Sequence, residues 1–278
     1  MTEKRRKAII RRNIFLIVIA VIIIAIIGLT VLIVSAIKGK KDSNTSSETE
    51  PTVSDTSSSD TVSEEPVPEI VTKGNYQLDM NYENLMLVND KNPLPDDFDY
   101  ESHLITLDDK YINGSLKQID RDVAPYMLAM IEAAWADNVK LYVWSPYRSY
   151  ATQNMLFEKQ VARETAKGLD RAAAEKAAAT VVARPGTSEH NTGLAADFNM
   201  ADDKFESTEM FTWMQANAEE YGFVMRYSKE KQPITGVIHE SWHWRFVGIN
   251  AAKEMNRLGM CLEEYVEFRN NNVEIIKD

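Results

Sequence analysis

Ser188-Glu189-His190-Asn191-Thr192-Gly193-Leu194-Ala195-Ala196-Asp197 sets an imidazole and a carboxylate seven residues apart, around one glycine and two alanines. Arg184-Pro185-Gly186 ahead of it breaks a helix, and Leu194 to Phe198 reads as a strand. Asp197 is therefore expected on a strand and His190 in the loop that feeds it. The small residues between them leave room for an ion. Further along lies a second cluster, His239-Glu240-Ser241-Trp242-His243. How these two clusters share a metal decides both the fold and the chemistry.

Two readings compete. Taken locally, the second cluster spells His-Glu-x-x-His, in which two histidines on one helical face hold zinc and the glutamate between them is the base. That motif needs a helix. Here Trp242, Trp244 and Phe246 alternate with His243 and Arg245, a period of two, and Gly236 with β-branched neighbours precedes them. The local reading also draws its third ligand from Glu254, Glu263 or Glu264 and leaves Ser188–Asp197 without a purpose. Taken across both clusters, His190, Asp197 and His243 bind Zn2+ and Glu240 is the base. Two imidazoles and a carboxylate leave one position open for water, the arrangement of catalytic zinc. His239 then has no required role.

The elements around these clusters alternate in kind. Leu85–Val88 is a short apolar strand, after which Pro93 and Pro95 impose an extended path. Met127, Leu128, Ile131, Ala134 and Trp135 recur at helical spacing over 122–135, with Pro125 in the first turn. Val139–Trp144 reads as a strand. Helices follow over Tyr150–Lys167 and Asp170–Ala183, the second capped by Asp170. A helix over Thr208–Tyr221 stops at Gly222, Phe223–Tyr227 is a strand, and Ala251–Leu258 and Leu262–Phe268 are helices. The fold class is α+β: a small, mainly antiparallel sheet flanked by helices, in a single catalytic domain over 74–278.

The chain has 278 residues and a net charge of −11, which excludes a basic footprint for nucleic acid. Its single cysteine, Cys261, forms no internal disulfide and no Cys-based zinc site, so a metal must use His, Asp or Glu. The domain sits behind three N-terminal segments. Residues 1–13 are a basic tail, with Lys4, Arg5, Arg6, Lys7, Arg11 and Arg12. Residues 14–37 carry no charge and reach about 36 Å as a helix, enough to cross a bilayer. Residues 38–73 are a linker rich in Ser, Thr and acidic residues, with too little apolar surface to offset its ordering entropy. The basic bias favours a cytoplasmic N-terminus, a single-pass anchor in the cell membrane and an extracellular catalytic domain.

Ser188-x-His190-x-x-Gly193-x-Ala195-x-Asp197, followed by Glu240-x-Trp242-His243, resembles the VanY/LdcB-type family of zinc D-Ala-releasing carboxypeptidases of bacterial cell walls. Ser145-Pro146-Tyr147-Arg148-Ser149 matches the family's Ser-x-Tyr-Arg-Ser stretch, with Gln153 behind it. Leu87-Val88-Asn89 with Pro93-Leu94-Pro95, Gly222 to Tyr227 and Leu262 to Tyr265 also fit. Ser241 departs from the pattern, which has Pro there. The resemblance implies hydrolysis of the bond before the C-terminal D-Ala of peptidoglycan stem peptides, with D,D-specificity favoured. An L,D-carboxypeptidase acting on tetrapeptide stems and a non-catalytic peptidoglycan-binding module are the alternatives. Arg148 suits a catalytic role, because a guanidinium grips a carboxylate or an oxyanion. Ser145, Tyr147, Gln153 and Ser188 are the candidate substrate contacts.

Overall fold

A computed structural model describes residues 68–99 and 101–275. The basic tail, the apolar stretch 14–37 and most of the linker lie outside the described residues. Among the described residues no helix is long and apolar enough to cross a membrane.

In chain order the elements are β1 (Ile70–Lys73), β2 (Tyr76–Asp79), β3 (Leu104–Thr106), β4 (Gln118–Asp120), α1 (Ala124–Ala136), β5 (Val143–Ser145), α2 (Tyr150–Thr165), α3 (Arg171–Ala179), β6 (Ala195–Phe198), α4 (Glu209–Asn217), β7 (Phe223–Tyr227), the single turn α5 (Gln232–Thr235), β8 (Glu240–Phe246), α6 (Ile249–Leu258) and α7 (Leu262–Ile275). β1 pairs with β2 and β3 with β4, each as a small antiparallel hairpin. The main sheet has the order β5-β6-β8-β7, and every pairing in it is antiparallel. The α+β expectation of a small antiparallel sheet flanked by helices holds for this part of the chain.

Alternation divides the sheet into two chemically different faces. Ala196, Phe198, Phe223, Trp244 and Phe246 face the main core, where Met127, Met130, Ile131 and Ala134 of α1 meet them. The intervening residues Asp197, Arg226, His243 and Arg245 are buried as well, but are polar. Burying so many charges is costly unless each finds a partner, so this second face dictates the site. Part of it is closed by a smaller apolar cluster, in which Val224 and Val247 meet Ala251, Met255, Leu262 and Tyr265 of α6 and α7. α2 and α3 form a helical hairpin with its own core of Phe157, Val161, Ala174 and Ala178. Asp170 caps α3 by accepting from the Ala173 amide at 2.8 Å, as expected.

Several boundaries differ from the expected ones, each for a local reason. Ile70–Lys73 forms a hairpin strand, so ordered structure begins inside the stretch read as linker. Leu85–Val88 is not a strand. The carbonyls of Asn84 and Met86 accept from Arg245 Nη2 at 3.3 and 2.7 Å instead of from a neighbouring strand. The strand expected from Val139 starts only at Val143, because Asn199 satisfies the earlier backbone. Its side chain accepts from the Tyr142 amide at 3.1 Å and donates to the Lys140 carbonyl at 2.8 Å. α3 stops at Ala179 rather than Ala183, and the Thr180 carbonyl accepts from the Ile238 amide at 2.9 Å. The last helix runs on to Ile275 rather than stopping at Phe268.

Candidate metal centre and active site

The loop before β6 holds His190 in a short 3-10 turn, Glu189–Asn191. It is stitched to the segment after β5. The Arg148 amide donates to the His190 carbonyl at 2.9 Å, and Asn191 Nδ2 donates to the Arg148 carbonyl at 2.7 Å. Gly193 ends the loop at φ +76°, and a Cβ there would lie 2.7 Å from the Asp120 backbone nitrogen. Only glycine meets both the left-handed conformation and this close approach. Asp197 then sits on β6 directly opposite His243 of β8, with Ser145 of β5 on its other side.

The three expected ligands converge. His190 Nε2, His243 Nδ1 and Asp197 Oδ1 are separated by 3.1, 3.3 and 3.4 Å. Zinc bonds of about 2.0–2.1 Å at the tetrahedral angle place neighbouring ligand atoms about 3.3 Å apart. The three separations would fit one face of a zinc tetrahedron. All three residues are buried, and Asp197 Oδ1 has no hydrogen-bond partner among the described residues. A buried carboxylate oxygen left bare opposite two imidazole nitrogens is a donor set for a cation. Among the described residues this is the group of His, Cys, Asp and Glu able to hold a metal ion.

Electrostatics sharpen the site. Burial and the neighbouring Arg148 charge push His190 down to about 4, so its imidazole is neutral at pH 7. Burial opposes charge on His243 too, but Asp197 and Glu189 outweigh it and raise the ring to about 9. Burial also opposes charge on Asp197, but His190 and Arg148 hold its carboxyl well below the usual range. Glu240 opens β8 and is buried at the edge of the site, its Oε2 3.9 Å from His243 Nδ1. Burial, with the Asp197 charge adding to it, pushes Glu240 up to about 7. A carboxyl poised near neutral pH is suited to take and return a proton.

Arg148 grips the carboxylate arm of the site. Its Nη2 donates to Asp197 Oδ2, its Nε to Ser145 Oγ at 2.9 Å and its Nη1 to Gln153 Oε1 at 3.4 Å. Gln153 is engaged at both ends, since its Nε2 donates to the Ala183 carbonyl at 2.7 Å. Tyr147 is buried in the same segment, and its amide donates to the Gln118 carbonyl at 2.9 Å. Ser188 is buried at the start of the His190 turn, where its side chain makes no capping bond.

His239 is not in the cluster. It precedes β8, where its Nδ1 bonds the Tyr227 carbonyl at 2.9 Å. The motif runs from a loop into β8 rather than along a helix, and among the described residues His239 is not in the group able to hold one ion. The helical reading of His-Glu-x-x-His is thereby excluded. Sequence reasoning missed Glu189, Arg226 and Arg245, all buried behind His243. The available signal was an acidic residue adjoining a ligand histidine, together with two arginines at alternating positions of strands with apolar neighbours.

Asp197 and His243 on a small antiparallel sheet and His190 in the turn before it, with a buried glutamate beside them, define a zinc-peptidase type of site. Residues 116–249 match the family model described as VanY: D-alanyl-D-alanine carboxypeptidase. A D-alanyl-D-alanine carboxypeptidase of Enterococcus faecalis is 38% identical over 205 residues, covering 74% of each chain. Among solved structures, the vancomycin-resistance D,D-pentapeptidase VanY in complex with Zn(II) is 43% identical with TM-score 0.57, over 66% of this chain and 98% of that one. VanYB in complex with D-alanine-D-alanine is 42% identical with TM-score 0.58, over 66% and 97%. The LdcB LD-carboxypeptidase is 33% identical with TM-score 0.57, over 72% and 94%. The chain belongs to the VanY D-alanyl-D-alanine carboxypeptidase family.

Proposed function

We propose that the protein is a zinc-dependent D,D-carboxypeptidase that hydrolyses the bond before the terminal D-Ala of peptidoglycan stem pentapeptides. The observation that carries this reading is the tetrahedral face formed by His190 Nε2, Asp197 Oδ1 and His243 Nδ1, with Glu240 beside it. These three residues would hold the zinc, which when bound would supply a Lewis acid able to acidify water and polarise a carbonyl.

Glu240 takes a proton from the attacking water and returns it to the nitrogen of the departing D-Ala. Its elevated proton affinity suits both steps. Arg148 orients Asp197 and holds a positive charge at the site, where it attracts the charge that develops on the scissile carbonyl oxygen or the substrate's terminal carboxylate. Ser145 and Gln153 act largely by holding Arg148. Tyr147 and Ser188, buried in the segments that carry Arg148 and His190, are the proposed substrate contacts.

D,D-specificity is supported by the VanYB relative, bound to D-alanine-D-alanine. An intact base argues against a pure binding module, which has no use for one. Incubation of the zinc-loaded protein with pentapeptide and tetrapeptide stems, read by mass spectrometry, tests the reading. Loss of one alanine from the pentapeptide supports it. Loss from the tetrapeptide alone assigns the L,D activity instead, and no release from either removes the enzymatic claim.

The uncharged run 14–37 supports a single-pass anchor, with 1–13 cytoplasmic and the catalytic domain on the wall side of the cell membrane. A mature N-terminus beginning after residue 35, read by mass spectrometry, overturns that placement.

A further inference from the structure

Behind His243 lies a chain of four buried or partly buried charges that the proposed chemistry does not use. Glu189 is fully buried, and Oε1 of its carboxylate accepts from Arg226 Nε at 2.7 Å and Arg245 Nη1 at 2.9 Å. The other oxygen, Oε2, lies 3.2 Å from His243 Nε2. Both arginines are themselves pinned. Arg226 forks onto Glu263 at 2.8 and 2.7 Å, and Arg245 donates to the carbonyls of Met86 at 2.7 Å and Phe246 at 2.9 Å. The two carboxylates and two arginines sum to zero charge, so the group is neutral as a unit.

We infer that Glu189 is a positioning residue for the metal, setting the tautomer of His243 so that Nδ1 presents its lone pair to zinc. The inference rests on the proposed zinc site and deepens it. A carboxylate only accepts, so the ring nitrogen facing it carries the proton. With two arginines on Oε1, the carboxylate has Oε2 left for the ring, and the proton is fixed on Nε2. His190 is set the opposite way. Its Nδ1 faces the Pro146 carbonyl at 2.8 Å, also an acceptor, so its proton sits on Nδ1 and Nε2 is free. The two ligand histidines thus carry opposite tautomers, each enforced by an acceptor on the side away from the metal.

Glu189→Gln exposes this role because the amide has one acceptor and one donor. Two arginine donors claim the amide oxygen at the Oε1 position. The NH2 group then faces His243 Nε2, where it either meets an N–H or drives the ring proton onto Nδ1, toward the metal. The expected result is zinc affinity weakened about tenfold to hundredfold, measured by competition with a chelator on the full-length protein. Glu263→Gln, which alters the far end of the same chain of charges, lowers thermal stability but leaves zinc affinity within threefold. A Glu189→Gln affinity within threefold of wild type, or an equal loss in Glu263→Gln, overturns the inference.

A second measurement needs no variant. Long-range 1H–15N spectra of zinc-loaded wild type carrying 15N-histidine read which nitrogen of each of the four rings is protonated. His243 protonated on Nε2 and His190 on Nδ1 is the expected pair. Zinc uptake with His243 protonated on Nδ1 overturns the role of Glu189 alone, whereas no zinc uptake by wild type overturns the metal site itself.

Discussion

Replacing Glu240 with Gln separates the proton carrier from the metal site. The side chain keeps its shape but no longer takes a proton. A general base of this kind is worth about 10²–10⁴ in rate, or about 2.7–5.4 kcal/mol of barrier. Glu240 stands outside the ligand triangle, 3.9 Å from His243 Nδ1, and its carboxyl is already partly protonated near neutral pH. Zinc affinity is therefore expected to change by less than about tenfold against that loss of rate. The metal-free variant is also expected to be more stable than wild type in alkaline buffer. A carboxyl raised from 4.5 to about 7 by folding carries no penalty below pH 4.5, a growing one between 4.5 and 7, and the full one above. Removing the ionisable group relieves on the order of 3 kcal/mol at pH 8 and nothing at pH 4. D-Ala release, zinc content and denaturant unfolding at the two pH values read all three effects. Turnover within tenfold of wild type refutes the proton-carrying role, and equal stability at pH 8 refutes the account of its burial.

Other perturbations separate the remaining parts of the site. His190→Ala abolishes stoichiometric zinc binding while His239→Ala retains it, and the reverse pattern in metal analysis restores the helical His-Glu-x-x-His reading. Arg148→Lys cannot reach Ser145, Asp197 and Gln153 together, so zinc affinity falls about tenfold to hundredfold and turnover stays depressed at saturating zinc. Because His243 in the metal-free protein titrates at about 9, apparent zinc affinity rises about tenfold per pH unit from pH 7 to 9, and a flat titration contradicts this. The same raised value stabilises the folded metal-free protein fully below pH 6.5, a contribution lost as pH rises through about 9. Gly193→Ala destabilises the fold by about 1–2 kcal/mol or more, from its left-handed backbone and the contact with Asp120, as thermal unfolding will show.

The candidate metal-binding group of His190, Asp197 and His243 was legible because its chemistry is local and alternation is visible. Trp242, Trp244 and Phe246 against His243 and Arg245 marked a strand, and that strand removed His239 from the site. Glycine at 193 was legible as a small residue, but its cause, the backbone of Asp120, is a contact across the fold. The same limit hid the boundaries. Leu85–Val88 has the letters of a strand, yet its Met86 carbonyl accepts from Arg245 of a distant strand. The path at 139–142 is set by the side chain of Asn199. Glu189 was hidden for a related reason. It adjoins His190 in sequence but serves His243, and only the antiparallel packing of β6 and β8 with the turn before them brings it there. Residues whose partners are adjacent or periodic could be read directly, whereas those whose partners arrive through tertiary packing could not.

The claim that one zinc ion joins the Ser188–Asp197 and His239–His243 clusters is tested most directly by anomalous diffraction at the zinc edge from crystals of the zinc-loaded protein. The account predicts a single strong peak bonded to His190 Nε2, Asp197 Oδ1 and His243 Nδ1, with Glu240 close by and unbonded. A peak held by His239, or one coordinated through His243 Nε2, contradicts it.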